Sequence, residues 1–199
     1  EEAWTKDTGA LSIWLLGMYR PTEQTVVIVP FKQGDEPELG PVVNDDYFGK
    51  VSEDRLKVID GNIYFKADGA SRGKIGLSPM RARNYMGSFD SKNQVLSLVF
   101  FNKPENATQY VNSLWEFQEQ PFAGDAVNSY NDGPVDGQLM GPFYELESSS
   151  PAAFLEPGET LTHVQQTMHL QGNVEQLNRV VDQLFHTNIH HIRTVFSEK

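Results

Sequence analysis

The spacing of short β-type runs most constrains what this chain can fold into. Over the first 170 positions such runs alternate with turn residues, at lengths that suit strands and are too short for most helices. "LSIWLLGM" (Leu11 to Met18) and "TVVIVPF" (Thr25 to Phe31) read as buried strands, the second closing near a proline. "RLKVIDGNIYFKA" reads as two strands joined at Asp60-Gly61-Asn62, a hairpin signal because Gly and Asn accept positive φ. "QVLSLVFFN" and "YVNSLWEFQ" follow as strands, then "GDAVNSYNDGPVDGQLM" as a long polar loop, then two strands within Gly141 to Leu170. This pattern predicts an all-β fold, antiparallel sheets packed as a sandwich, in a single domain over residues 1–199.

One segment breaks the pattern. In "NVEQLNRVVDQLF" the apolar residues Val174, Leu177, Val180, Val181, Leu184 and Phe185 recur at helical spacing behind Asn173, an N-cap candidate. A helix over about 173–186 is expected on the outside of the sheets, with Leu177, Val181 and Leu184 turned inward. The tail "HTNIHHIRTVFSEK" carries no clear pattern.

Composition narrows the function classes. Hydrophobic residues at 39% allow a real core, while a net charge of −11 without a basic cluster argues against nucleic acid. The absence of cysteine removes disulfides, thiolate metal sites and cysteine nucleophiles together. No apolar run reaches the roughly 18 residues of a membrane span, and no signal peptide is recognisable. The opening "EEAWTKDTGALSIWLLGMYR" runs straight into a strand, as expected of a mature form or of a piece of a longer protein.

The candidate chemistry lies in "GPFYELESSSPAAFLEPGETLTHVQQTMHL". Alternation places Phe143, Glu145 and Glu147 on one face of a strand, with Tyr144 and Leu146 on the other. In the next run Leu161, His163, Gln165, Thr167 and His169 share a face, and Val164, Met168 and Leu170 point the opposite way, into the core. If the two strands are neighbours, carboxylates and imidazoles share a polar face, the minimum for general acid/base work. The alternative is that the face is simply solvated.

Asn128, Tyr130, Asn131 and Asp132 in "NSYNDGP" supply directional donors, acceptors and a ring, which suits a sugar. With Asp125 and Asp136 they could instead form an oxygen cage for calcium, or be ordinary turn chemistry. Arg72 and Lys74 stand two apart, on one face of a strand. They could hold a carboxylate or a sugar acid, pair with Glu145 and Glu147, or be solvated surface charge. On "YVNSLWEFQ" Trp115 reads as core and Glu116 as polar face. His186, His190 and His191 lack the carboxylate of a metalloprotease pattern, so no metal and no cofactor is expected.

At Leu146-Glu147-Ser148, Pro151 and "LEPGE" (Leu155 to Glu159) the chain resembles the C-terminal end of the galactose mutarotase-like superfamily. "FGKVSEDRLKVIDGNIYFKADG", "KIGLSP", "YVNSLWE", "VNSYNDGP" and "GPFYELESSSPA" look like an uncharacterised bacterial family within it. The resemblance implies a supersandwich, of which this chain is the C-terminal half or a shortened relative. It also implies a periplasmic or secreted location. By the same resemblance Glu147 aligns with the base of aldose 1-epimerases, with Glu145 as rival because the gap to Pro151 is one residue short, and His163 stands as the acid. Asn128, Tyr130, Asn131, Asp132, Arg72, Lys74 and His169 would then contact a small carbohydrate. The alternative is a non-catalytic accessory or structural part of a longer secreted protein. A missing first half would leave an apolar edge near the N-terminus, prone to pair with a second copy or with the absent segment.

Overall fold

The computed structural model describes residues 9–114, 116–138 and 140–197. Its strands are β1 (Ala10–Leu11), β2 (Trp14–Tyr19), β3 (Thr25–Pro30), β4 (Leu56–Ile59), β5 (Asn62–Lys66) and β6 (Gly73–Leu77) in the first half. β7 (Tyr85–Asp90), β8 (Val95–Phe101), β9 (Val127–Asn131), β10 (Tyr144–Ser149), β11 (Ala153–Phe154) and β12 (Gln165–Gln171) complete them. The helices are α1 (Glu36–Leu39), α2 (Val174–Phe185) and α3 (Ile189–Thr194). A four-stranded sheet runs β2-β10-β9-β6 and a six-stranded sheet runs β12-β8-β7-β3-β5-β4, with β1 and β11 as a separate pair. All pairings between named strands are antiparallel. The protein is an all-β sandwich with C-terminal helices, as the spacing predicted.

Alternation explains the core. Val27, Val29, Phe65, Met86 and Val99 of the large sheet meet Ile75, Leu77, Val127, Tyr144 and Leu146 of the small sheet in one buried cluster. The residues between them on the large sheet, Val26, Ile28, Tyr64, Phe89, Leu96 and Leu98, face outward. There they are covered by Leu177, Val181, Phe185, Ile189 and Ile192 of the helices. The large sheet is therefore apolar on both faces, which is why β3 is buried at every position. The hairpin of β4 and β5 turns at Asp60 and Gly61, both at positive φ (47° and 80°), as a two-residue primed turn requires.

α2 begins where expected: Asn173 accepts from the Gln176 backbone N–H while the Gln176 side chain returns to the Asn173 N–H, a capping box. Leu177 and Val181 are buried and Leu184 is half-buried against the large sheet. Replacing Leu177 with Asp is expected to lower the melting temperature by several degrees, because a charge would be buried without a partner. An unchanged melting temperature would show that α2 does not pack as described.

Four expectations need correction. "LSIWLLGM" is not one buried strand: it breaks at Ser12-Ile13, which are tied to Ser150, and its longer part is the edge of the small sheet. Trp14, Leu16 and Met18 are 47%, 39% and 57% exposed there, an apolar N-terminal edge. "YVNSLWEFQ" is irregular rather than a strand: Tyr110 bridges to Ala123 and is buried in the core, the Asn112 N–H donates to the Pro121 carbonyl, and Trp115 lies outside the described residues. Val127–Asn131 is a buried strand rather than loop, because its polar side chains find partners inside: Ser129 donates to the Glu145 carbonyl and Asn131 to the Ser71 carbonyl. Lastly, β12 is an edge strand, so Val164 and Met168 are exposed and only Leu170 reaches the apolar layer under α2.

Candidate functional site

The outer face of the small sheet carries the site. Register sets Glu145 beside Tyr130 and Met18, and Glu147 beside Asn128 and Leu16, so these side chains share the face turned away from the core. Lys74 on β6 pairs with Tyr130 and completes that row. Above it lies a cavity of about 670 Å³, lined by Trp14, Tyr47, Phe48, Arg72, Lys74, Ser113, Leu114, Glu116, Tyr130, Met140, Phe143 and Glu145.

Glu147 is fully buried beneath this cavity. Its Oε2 accepts from the Lys74 ammonium at 2.9 Å and from Trp14 Nε1–H at 2.9 Å. Lys74 is in turn flanked by the rings of Trp14 and Tyr47, 4.9 and 5.1 Å from its nitrogen. The other oxygen, Glu147 Oε1, is buried without a donor among the described residues. Burial and the adjacent Glu147 charge push the Glu145 carboxyl up to about 7, against the lowering pull of Lys74. Glu145, on the cavity side, therefore holds its proton into the neutral range.

A second buried acid holds the rim. Asp125 Oδ2 accepts from Tyr47 Oη (2.7 Å) and Asn44 Nδ2 (2.9 Å), and Asn128 Nδ2 donates to Tyr47 Oη at 3.0 Å. Burial pushes Asp125 up to about 6, partly offset by these hydrogen bonds. The close approach needs Gly76, since a Cβ there would stand 2.1 Å from Asp125 Oδ2. Asp132 is also structural, accepting from Tyr130 Oη (3.1 Å) and the Gly141 N–H (3.1 Å).

Of the residues singled out from sequence, Glu145, Tyr130, Arg72 and Lys74 line the cavity, and Glu147 and Asn128 lie under it. Phe143 joins them, as its alternation with Glu145 required. Lys74 pairs with Glu147, one of the alternatives open for it. Asn131 points to the opposite side of β9 and ties Gly69 N–H and the Ser71 carbonyl.

The histidines do not join the glutamates. β10 and β12 lie in different sheets, so the shared polar face does not exist. His163 lies between the sheets, with Nε2 2.9 Å from Ser148 Oγ, and Ser148 alternates with Glu147 to the other face. Burial lowers the His163 pKa. His169 on the large sheet contacts Ser97 Oγ at 2.8 Å and the Tyr19 ring. The reason is topological: β12 pairs with β8, leaving β10 to β2 and β9. No group of three or more acids and histidines stands together as a metal cage among the described residues.

Trp14, Tyr47 and Phe48 line the cavity without a sequence signal that marks them, and Asp125, which holds Tyr47 from below, reads in the sequence only as a possible calcium ligand. Trp14 was hidden in an apparent core strand. Tyr47, Phe48 and Asp125 stand in irregular segments that carry no periodic signal.

Fold and site together define a β-sandwich protein with an aromatic-walled, acid-bearing pocket on its smaller sheet. The model of a family described as a family of unknown function (DUF6786) matches residues 1–196, and the chain belongs to that family. No significant match to this chain is found among the curated proteins or the solved structures. No helix among the described residues is long and apolar enough to cross a membrane.

Proposed function

We propose that this protein binds a carbohydrate in the pocket on the small sheet, with Glu145 as the proton-carrying contact. One observation carries the reading: a carboxyl held up to about 7 lines a pocket whose walls include Trp14, Tyr47, Phe48, Tyr130 and Phe143. Aromatic faces stack on the C–H faces of sugars, and a carboxyl that exchanges its proton can donate to or accept from a hydroxyl. The resemblance to mutarotase-like proteins points the same way.

A second reading, an aldose epimerase-like enzyme, is favoured by the pKa of Glu145, which suits a general base at neutral pH. In that reaction the Glu145 carboxylate takes the anomeric hydroxyl proton, and the ring oxygen takes a proton as the C1–O5 bond opens. None of the five histidines lines the pocket, so that second proton comes from water or from Glu145 itself. Glu147, named as base by the resemblance, is shielded by Lys74 and Trp14 and acts on Glu145 rather than on the sugar.

Calorimetric titration with a panel of neutral aldoses and hexuronates, beside polarimetry of their mutarotation, tests both readings. Binding of at least one sugar is expected, with an affinity that changes between pH 6 and pH 8 in wild type and stays flat in Glu145→Gln. If no sugar in the panel binds, the carbohydrate reading falls. Accelerated mutarotation that drops by about 100-fold or more in Glu145→Gln identifies the enzyme; binding without acceleration leaves a binding protein.

A further inference from the structure

Resting on the carbohydrate reading, we propose that the pocket selects an acidic sugar, a hexuronate, whose carboxylate is gripped by Arg72. The guanidinium lies over the Phe48 ring, 3.9 Å from its centroid, inside the pocket wall. Lys74, the other cation there, is already taken by Glu147 at 2.9 Å. Arg72 has no carboxylate within ion-pair reach among the described residues, although the chain carries a net charge of −11.

The backbone around Arg72 is fixed so that this side chain stays at the pocket. Asn131 Nδ2 holds the Ser71 carbonyl at 2.8 Å, and Gly133 fits against Arg72 so closely that a Cβ would stand 2.1 Å from the Arg72 nitrogen. Stacking on Phe48 further limits the rotamers, so the guanidinium loses little freedom when it meets a ligand. Its planar fork offers two parallel N–H donors, the geometry that a carboxylate accepts and a hydroxyl does not match.

The acids nearby do not forbid an anion. Glu147 is neutralised by Lys74, Asp132 is tied to Tyr130 Oη and Gly141 N–H, Glu145 carries a proton for much of the time near neutral pH, and Glu116 in the lining is exposed, so solvent and salt screen it. That proton gives Glu145 a donor to aim at a sugar hydroxyl while Arg72 holds the carboxylate.

The test compares galacturonate with galactose, and glucuronate with glucose, by calorimetry at low ionic strength. At least one uronate is expected to bind wild type about 10-fold or more tightly than its neutral partner, the gain of a charge-assisted hydrogen bond. Arg72→Met is expected to erase that preference, lowering the affinity for the uronate far more than the affinity for its neutral partner. Arg72→Lys, which keeps the charge but loses the fork, should fall between them. Equal binding of the acidic and neutral partners by wild type overturns the acidic-sugar inference and leaves the carbohydrate reading standing. So does an Arg72→Met variant that weakens both equally. Failure of all four sugars to bind overturns the inference, and the wider panel then decides the carbohydrate reading.

Discussion

Replacing Lys74 with methionine is expected to destabilise the protein by about 3–5 kcal/mol, the cost of leaving a buried charge without its partner. Glu147 is fully buried, and its Oε2 would retain only the Trp14 Nε1–H. The attraction between Lys74 and Glu147 is not the source of this number, because burying both ions costs nearly as much as their pairing returns. The loss comes from the stranded carboxylate. The double variant Lys74→Met/Glu147→Gln should therefore recover most of the stability, since the glutamine is neutral and its carbonyl still accepts from Trp14. Urea denaturation at pH 7 measures all three proteins. A single variant within about 1 kcal/mol of wild type, or a double variant no better than the single one, would show that the pair is not buried as a unit.

Asp125 supplies the second large effect, and its sign is opposite to that of most acids. Its folded-state pKa is raised from the ordinary 3.8 to about 6, mainly by burial. The folded state therefore holds the proton more tightly than the unfolded chain. The resulting stability is fully present below pH 3.8 and is lost as pH rises through about 6. The loss amounts to about 3 kcal/mol at pH 8. Asp125→Asn cannot ionise, and its carbonyl can still accept from Tyr47 and Asn44. Relative to wild type, the variant should gain up to about 3 kcal/mol on going from pH 4 to pH 8. Unfolding both proteins at those two pH values isolates the residue from every other titrating group. A difference between them that does not change with pH would refute the assignment. Glu145, raised to about 7, adds stability that is likewise lost as pH rises, through a higher window.

These two acids show why the site was only half legible. Glu145 and Glu147 were identifiable because period-two alternation is local: a strand sends every second side chain to the same face, whatever its neighbours. The same rule paired Phe143 with them. Which of the two carboxyls reaches the cavity was not local. Glu147 is sealed by Trp14 from β2 and Lys74 from β6, strands that lie far from it in the chain. The resemblance to epimerases pointed to Glu147, while the three-dimensional arrangement leaves Glu145 on the open side.

The histidines failed for a related reason. Consecutive strands usually pair, and β10 and β12 follow each other closely in sequence, separated only by the short β11. Here the chain crosses from one sheet to the other after Ser149, so His163 meets Ser148 on the inner face instead of the glutamates on the outer one. In the sequence Asp125 reads only as a possible calcium ligand, and nothing around it announces that Tyr47, Asn44 and Gly76 close over it.

What the sequence determined by itself was whatever depends on residue spacing within one element. That includes the β-rich architecture, the Asp60-Gly61 turn, the capped amphipathic helix from Val174, and the face shared by Phe143, Glu145 and Glu147. Tertiary structure alone decided the sheet to which each strand belongs, and with it the depth at which each side chain is buried. Burial and the company of distant residues set the energy of a charge. A carboxyl that is ordinary in an isolated strand holds its proton toward neutral pH only when it is buried with another acid folded against it, here in spite of a lysine that pulls the other way.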